Sequence, residues 1–221
     1  MKIIEAIPCI LAPEKRAENV IYIENDDEHK TLASKIAKLK EYDFDFAVFR
    51  HQDTITQTPE AILPNCERMS IDNVGIGGVI GTRLLTDSCA WWMVNRGIHT
   101  AGAIVQGDGK GGDYVMADQP GYHPDMVSVD GCWVIFSKKF VDTYEPHEFH
   151  WRFGYDSDAC LQCLSMGMNV ATLDIRVKHE SQGGFDQNEF NAFREKFLGY
   201  WKPRVDFPVI ISSEFRNVAS K

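Results

Sequence analysis

The order of apolar segments predicts an α/β protein: a mixed, mostly parallel central sheet flanked by helices. Three observations lead there. Ile- and Val-rich runs at 2–11, 20–24 and 44–50 are separated by an amphipathic segment at 31–42. The same alternation resumes at 127–136, 157–167, 169–178 and 187–200. The chain has 221 residues, 44% hydrophobic and 25% charged, which suits one domain with its own core.

Each element has its local reason. KIIEAIPCIL (2–11) and VIYIE (20–24) read as short strands, with a loop opening at Pro13. Residues 31–42 put Leu32, Ile36 and Leu39 on one helical face with lysines between, and Asp26–Glu28 place negative charge ahead of its start. FDFAVFR (44–50) is a strand that runs straight into His51-Gln52-Asp53. A helix over 59–69 takes Pro59 into its first turn. VGIGGVI (74–80) is a glycine-rich strand, and the glycine-rich stretch 86–125, with Trp91 and Trp92, predicts long loops and short strands. Residues 127–136 resume the strand pattern. Residues 157–167 predict a helix capped by Asp156 or Ser157 and closed by Gly167. One more strand, 169–178, ends at His179; a helix follows at 187–200; and strand character returns from Pro203 to Ile211.

Composition removes whole classes of function. Lys and Arg number 23 against 32 Asp and Glu, a net charge of -9, so nucleic acid and anionic membranes are poor partners. No apolar run reaches the roughly 20 residues of a membrane span. Glu5 interrupts the opening MKIIEAIPCILAPEKR, which therefore reads as no secretory leader. The six cysteines are scattered and read as reduced core thiols of a cytoplasmic protein; Cys160-x-x-Cys163, lacking a second such pair, reads as core packing. Oligomeric state is left open.

Several motifs bear chemistry. His51-Gln52-Asp53 at the mouth of a strand either holds a divalent cation or closes the strand as a polar turn. Asp156 and Asp158, before and within a helix start, are either N-terminal dipole partners or include a general base. His179 gains a role only if the fold brings it to His51-Gln52-Asp53. Gly75, Gly77, Gly78 and Gly81 miss the dinucleotide fingerprint, whose last glycine would fall on Ile80, and read as close packing. Trp91 and Trp92 are core residues or stacking faces. No G-x-S-x-G, HExxH or P-loop is present.

Taken in order, VFRHQDTIT, VGIGGVIGTRLL, VSVDGCWVIFSKKF and FHWRFGYDSDACLQCLSMGMNVATLDIRVKHESQGG resemble a family 2-type glycosyltransferase with the GT-A fold, closest to the subgroup named for a streptomycin-biosynthesis protein. The resemblance spans about residues 44–200. It implies a nucleotide-binding half over about 1–85 and an acceptor half over about 86–205. Asp53 takes the place of the last acid of an Asp-x-Asp motif, which binds a metal on the donor diphosphate. His51 stands where the first acid would be, and His179 matches a late histidine that completes the metal site. Asp156 matches the general base. Tyr155 replaces the usual Glu beside it, which leaves Asp158 as the other candidate. Asp130 and Gly131 match the floor of the sugar pocket, Trp91 lies on the donor side, and Glu24 or Asp26 would meet the nucleoside. Fewer residues than usual precede His51, and the first helix is shortened between 11 and 20.

The implied reaction moves a sugar from a nucleotide-diphosphate donor, a UDP-sugar, to a hydroxyl of a glycan or other acceptor, with inversion. The leaving diphosphate gains charge in an acidic protein, with Arg50 alone adjacent to the motif. Mn²⁺ or Mg²⁺ is the expected cofactor, and the imidazoles favour Mn²⁺. GDGKGG (107–112) is expected to act as a lid. The competing reading is a non-catalytic nucleotide-sugar or carbohydrate binder on the same fold. A nucleotidyltransferase fits less well, since residues 8–20 lack glycine; a metal hydrolase would cluster more ligands.

Overall fold

The structure is a computed structural model, and it describes residues 1–9, 20–26, 30–108, 110–181, 184 and 186–210. In chain order the elements are β1 (Ile3–Pro8), β2 (Val20–Ile23), α1 (Leu32–Lys38), β3 (Phe46–Arg50), β4 (Thr54–Thr56), α2 (Ile62–Ile71), β5 (Val74–Gly78), β6 (Ile80–Thr82), β7 (Leu84–Leu85), β8 (Thr100–Gly107), β9 (Asp113–Asp118), β10 (His123–Met126), β11 (Ser128–Val129), β12 (Trp133–Ser137), α3 (Lys138–Thr143), α4 (Tyr155–Ser165), β13 (Asn169–Thr172), β14 (Val177–His179), α5 (Gln187–Trp201) and β15 (Val209–Ile210). The segment expected to carry a shortened first helix lies outside the described residues up to position 19. So do residues 27–29, residue 109 of the expected lid, and the chain from 211 on.

The class is α/β, as the alternation predicts. Seven strands form the main sheet in the order β10-β13-β5-β12-β3-β1-β2. It is evenly mixed among the described residues: β1–β2, β1–β3 and β5–β13 are parallel, while β12–β3, β12–β5 and β10–β13 are antiparallel. The reversal at β12 has a topological cause. The chain reaches β12 from a second sheet rather than by a crossover helix. That second sheet runs β11-β6-β8-β14-β4, with β9 paired to β8.

Local chemistry sets the helix limits. Thr31 caps α1 through a reciprocal pair: its hydroxyl accepts from Ser34 N–H at 3.0 Å, and its own N–H donates to Ser34 Oγ at 3.1 Å. Asp26 instead pairs with Lys38 at 3.4 Å. Asp186 caps α5, accepting from the N–H groups of Asn188 and Glu189. Pro59 opens a 3₁₀ turn that leads into α2. On α4 the structure departs from the expected cap. Gly154, at φ +73°, is the N-cap, and the helix starts at Tyr155, so Asp156 and Asp158 both lie in its first turn.

The stretch 86–125 also differs from expectation. Thr100–Gly107 and Asp113–Asp118 pair in register as a long antiparallel hairpin. Two apolar clusters fill the two faces of the main sheet, one under α1, α3, α4 and α5, the other under α2 and the second sheet. The glycines of β5 pack where side chains cannot: a Cβ at Gly78 would lie 2.6 Å from Val129 Cβ, and one at Gly75 would lie 2.6 Å from Cys163 Sγ. All six cysteines are buried and none forms a disulfide. Among the described residues no helix is long and apolar enough to cross a membrane.

Candidate functional site

Parallel pairing of β1, β2 and β3 brings Cys9, Glu24 and His51, each the residue after its strand, to one edge of the main sheet. In open α/β sheets such an edge is where ligands bind. Antiparallel β12 contributes from its opposite end: Trp133 pairs with Arg50, so Asp130, Gly131 and Cys132 lie at the same edge. His51 N–H donates to Cys132 O at 2.8 Å, which ties the two turns together.

The second sheet delivers His179. β14 pairs with β4 so that His179 faces Thr54, and Glu180 N–H donates to Asp53 O at 2.8 Å. The backbone of Glu180 also crosses so close to Gly107 that no Cβ fits there. His51, Asp53 and His179 consequently converge, with one ligand atom of each within 4.8 Å of the others. This joins the turn at 51–53 to a histidine far along the chain. His179 Nε2 lies 3.4 Å from Asp53 Oδ2.

Electrostatics reflect that convergence. The His179 hydrogen bond, helped by Ser181, holds the Asp53 carboxyl well below the usual carboxylate range, against the opposing pull of burial. Burial would lower the His179 imidazole, yet the hydrogen bond and charge of Asp53, with Asp130, raise it overall. His51 goes the other way: burial lowers it despite Asp130 and Asp53. At neutral pH His51 is thus a neutral imidazole with a lone pair to give.

Two imidazoles and one carboxylate form a donor set suited to a divalent transition metal, with positions left for substrate oxygens. Arg50 does not compete for that role. Its guanidinium is engaged by Glu5 and by Thr54 O.

The two helix-start aspartates lie in different surroundings. Asp156 is half-buried. Its oxygens accept from Ser157 N–H at 2.8 Å and Gly131 N–H at 3.2 Å. Burial, reinforced by the Asp130 charge, pushes its carboxyl up to about 7. Asp158 has no exposed surface. Oδ1 meets His147 Nδ1 at 3.0 Å and accepts from Trp201 Nε1–H at 2.9 Å, and Oδ2 accepts from Gln162 at 2.8 Å. Burial raises this carboxyl too, against those three partners. Asp158 therefore ties α4 to α5 and to the loop before α4. Asp158→Ala is expected to lower folding stability by about 3–5 kcal/mol, because three polar partners are left buried and unmatched; urea denaturation measures it.

Other expected residues have mixed placements. Trp91 is only 4% exposed and donates from Nε1 to Asp130 Oδ2 at 3.0 Å, so it buttresses Asp130. Asp130 Oδ1 accepts from Cys132 N–H at 2.7 Å. Trp92, packed against Trp91 and Phe190, is the more exposed of the pair. Glu24 is half-buried two strands from His51, roughly 10 Å by strand spacing. Asp26 is exposed beside Lys38. Two residues escaped the sequence reading. Gln106 and Ser181 both contact His179, at 3.3 Å and 3.1 Å. Nothing in their local sequence marks them; only the pairing of β8 with β14 brings Gln106 there.

No family model matches the chain and no curated protein matches it. Solved structures with a similar course include A197 from STIV, at 8% identity and TM-score 0.46, covering 84% of this chain and 87% of that one. The inositol-1-phosphate CTP transferase from T. maritima gives 13% identity and TM-score 0.41, covering 82% and 68%. GalNAc-T7, solved with UDP, GalNAc and Mn2+, gives 10% identity and TM-score 0.49, covering 91% of this chain but 42% of its own. At such values the functional reading has to come from the geometry of the site.

Proposed function

We propose that this chain is a metal-dependent glycosyltransferase of the GT-A type, taking a sugar from a nucleotide-diphosphate donor to an acceptor hydroxyl with inversion. The observation that supports it most is the convergence of His51, Asp53 and His179 beside Asp156 and Asp130 at one sheet edge. Asp53, His179 and His51 would hold Mn²⁺ or, less well matched to two imidazoles, Mg²⁺. When bound, the cation supplies charge neutralisation to the departing diphosphate, which the acidic protein lacks.

The chain's own residues do the rest. Glu24, with Asp26 further out, would receive the ribose and base of a uridine nucleotide. Asp130, held by Trp91 and Cys132, accepts hydrogen bonds from donor-sugar hydroxyls above Gly131. Asp156 takes the acceptor proton onto a carboxylate oxygen. Its raised pKa suits a base that must gain a proton near neutrality. Asp158 anchors the helix carrying Asp156 and stays out of the chemistry. Residues up to about 85 carry the donor side, and those of about 86–205 the acceptor side. A hydroxyl on a glycan is the proposed acceptor. Six buried cysteines, none in a disulfide, fit a reducing compartment, and the cytoplasm is the proposed location.

Calorimetric titration of UDP and GDP, with Mn²⁺ and with EDTA, tests the reading. UDP is expected to bind with Mn²⁺ and to lose most of its affinity in EDTA. Binding of neither nucleotide in Mn²⁺ overturns the donor assignment. Metal-dependent binding without transfer or donor hydrolysis across a panel of UDP-sugars and acceptors supports the binder instead.

A further inference from the structure

A histidine ligates a cation through one ring nitrogen when the other carries the proton, and the partner of that second nitrogen decides which is which. His179 has such a partner. The Gln106 amide nitrogen donates to Ser181 O, which fixes the amide orientation. Gln106 Oε1, 3.3 Å from His179 Nδ1, can then accept the proton there, and Nε2, which in the metal-free protein carries the proton shared with Asp53, is the nitrogen left to give that proton up to a cation.

His51 is held in the same way by a different residue. Its Nε2 lies 2.9 Å from the phenol oxygen of Tyr155. The phenol has little freedom to move. Tyr155 is 5% exposed, it is the first residue of α4, and its hydroxyl and ring edge lie against Gly131. A Cβ at position 131 would overlap the Tyr155 hydroxyl and ring edge, so glycine there makes the seat. Gly131 also donates its N–H to Asp156, so one residue registers the phenol and the carboxylate together. Positions 51 and 155 are the two at which imidazole and phenol stand where the motif resemblance expects acids, and they are bonded to each other.

We propose that Tyr155 is a positioning residue: its oxygen accepts the Nε2 proton of His51 and so commits Nδ1 to the cation. This rests on the metal-dependent reading above. The phenol, held neutral by burial and the acids around it, adds no charge beside Asp53, Asp130 and Asp156. Together Tyr155 and Gln106 form an outer pair that orients both imidazoles, and Tyr155 sets the tautomer of His51 before metal arrives.

Two measurements test it. Long-range ¹H–¹⁵N spectra of the metal-free wild type are expected to show His51 protonated on Nε2. In Tyr155→Phe, which keeps the ring against Gly131, His51 is expected to become a tautomer mixture while His179 is unchanged. Calorimetry with Mn²⁺ alone is expected to give roughly 10–100-fold weaker binding to that variant. His51 protonated on Nδ1 in the wild type, or equal Mn²⁺ affinity in the variant, overturns the proposal. Failure of the wild type to bind Mn²⁺ overturns the metal centre itself, and Tyr155's role with it. If the variant does not fold, the wild-type spectrum still decides.

Discussion

Asp53→Asn is expected to abolish Mn²⁺-dependent UDP binding and to cut sugar transfer by roughly 10²–10³-fold or more. The amide keeps the size of the side chain and removes the only anionic member of the His51, Asp53, His179 set. Two neutral imidazoles cannot retain a divalent cation against water as a carboxylate does. Nucleotide affinity in EDTA is expected to stay at the wild-type level, which separates loss of metal from loss of fold. Wild-type transfer rates in Asp53→Asn would sink the metal assignment.

The same substitution has a metal-free signature in folding stability. Asp53's carboxyl is depressed in the folded state, so its contribution is present above the unfolded value, about 4, and is lost as pH falls through the folded one. His179's imidazole is raised, so its contribution is complete below the unfolded value, about 6.5, and is lost as pH rises through the folded one. The pair therefore stabilises most between about pH 4 and pH 6.5. The urea midpoint of metal-free Asp53→Asn is expected to fall furthest below wild type in that window, and to approach it at higher and lower pH.

How far the sequence exposes this site depends on the kind of interaction involved. His51-Gln52-Asp53 is legible because an apolar strand ends abruptly in ligand-type residues, and strand ends of α/β sheets face ligands. Asp130 is not legible in that way: it falls inside the run 127–136 that reads as one strand, and only the break between β11 and β12 puts it at a strand end. His179 is not legible alone: what brings it to Asp53 is the antiparallel pairing of β14 with β4, between segments more than a hundred residues apart. Gln106 lies within the stretch 86–125, for which the sequence predicts long loops and short strands. Its glycines obscured the alternation of TAGAIVQG and DYVMAD about GDGKGG, which is a hairpin pattern once the turn is recognised. Strand direction left no trace either. Period-two patterning is identical for parallel and antiparallel strands, so the reversal at β12 could be seen only in the fold. Asp156 and Asp158, by contrast, are separated in part by helix geometry. Residues two apart are about 200° apart around a helix, so the two carboxylates could not share a face. What the sequence lacked was which face was buried, and Trp201 and His147 decide that.

Asp156→Asn is the second large effect. If Asp156 receives the acceptor proton, the variant loses roughly 10²–10⁴-fold in kcat while keeping Mn²⁺-dependent UDP affinity. Asparagine can still accept one of the two backbone N–H groups that now meet the carboxylate, and it removes the cost of ionising a carboxyl that burial and Asp130 push up to about 7, so folding at neutral pH is expected to be no weaker than wild type. The pH profile carries the sharper test. The base works deprotonated, so activity rises with pH, along a limb set by a carboxyl that burial and the Asp130 charge push up to about 7. A cation at the neighbouring site favours the carboxylate and draws the limb below that value in the loaded enzyme. Asp130→Asn removes a like charge, so its limb is expected to move lower still, even as its overall rate falls with the loss of a sugar contact. A limb that stays put in Asp130→Asn, or full activity in Asp156→Asn, would assign the proton to another group. Asp158 is a poor substitute, since its oxygens are already committed to His147, Trp201 and Gln162.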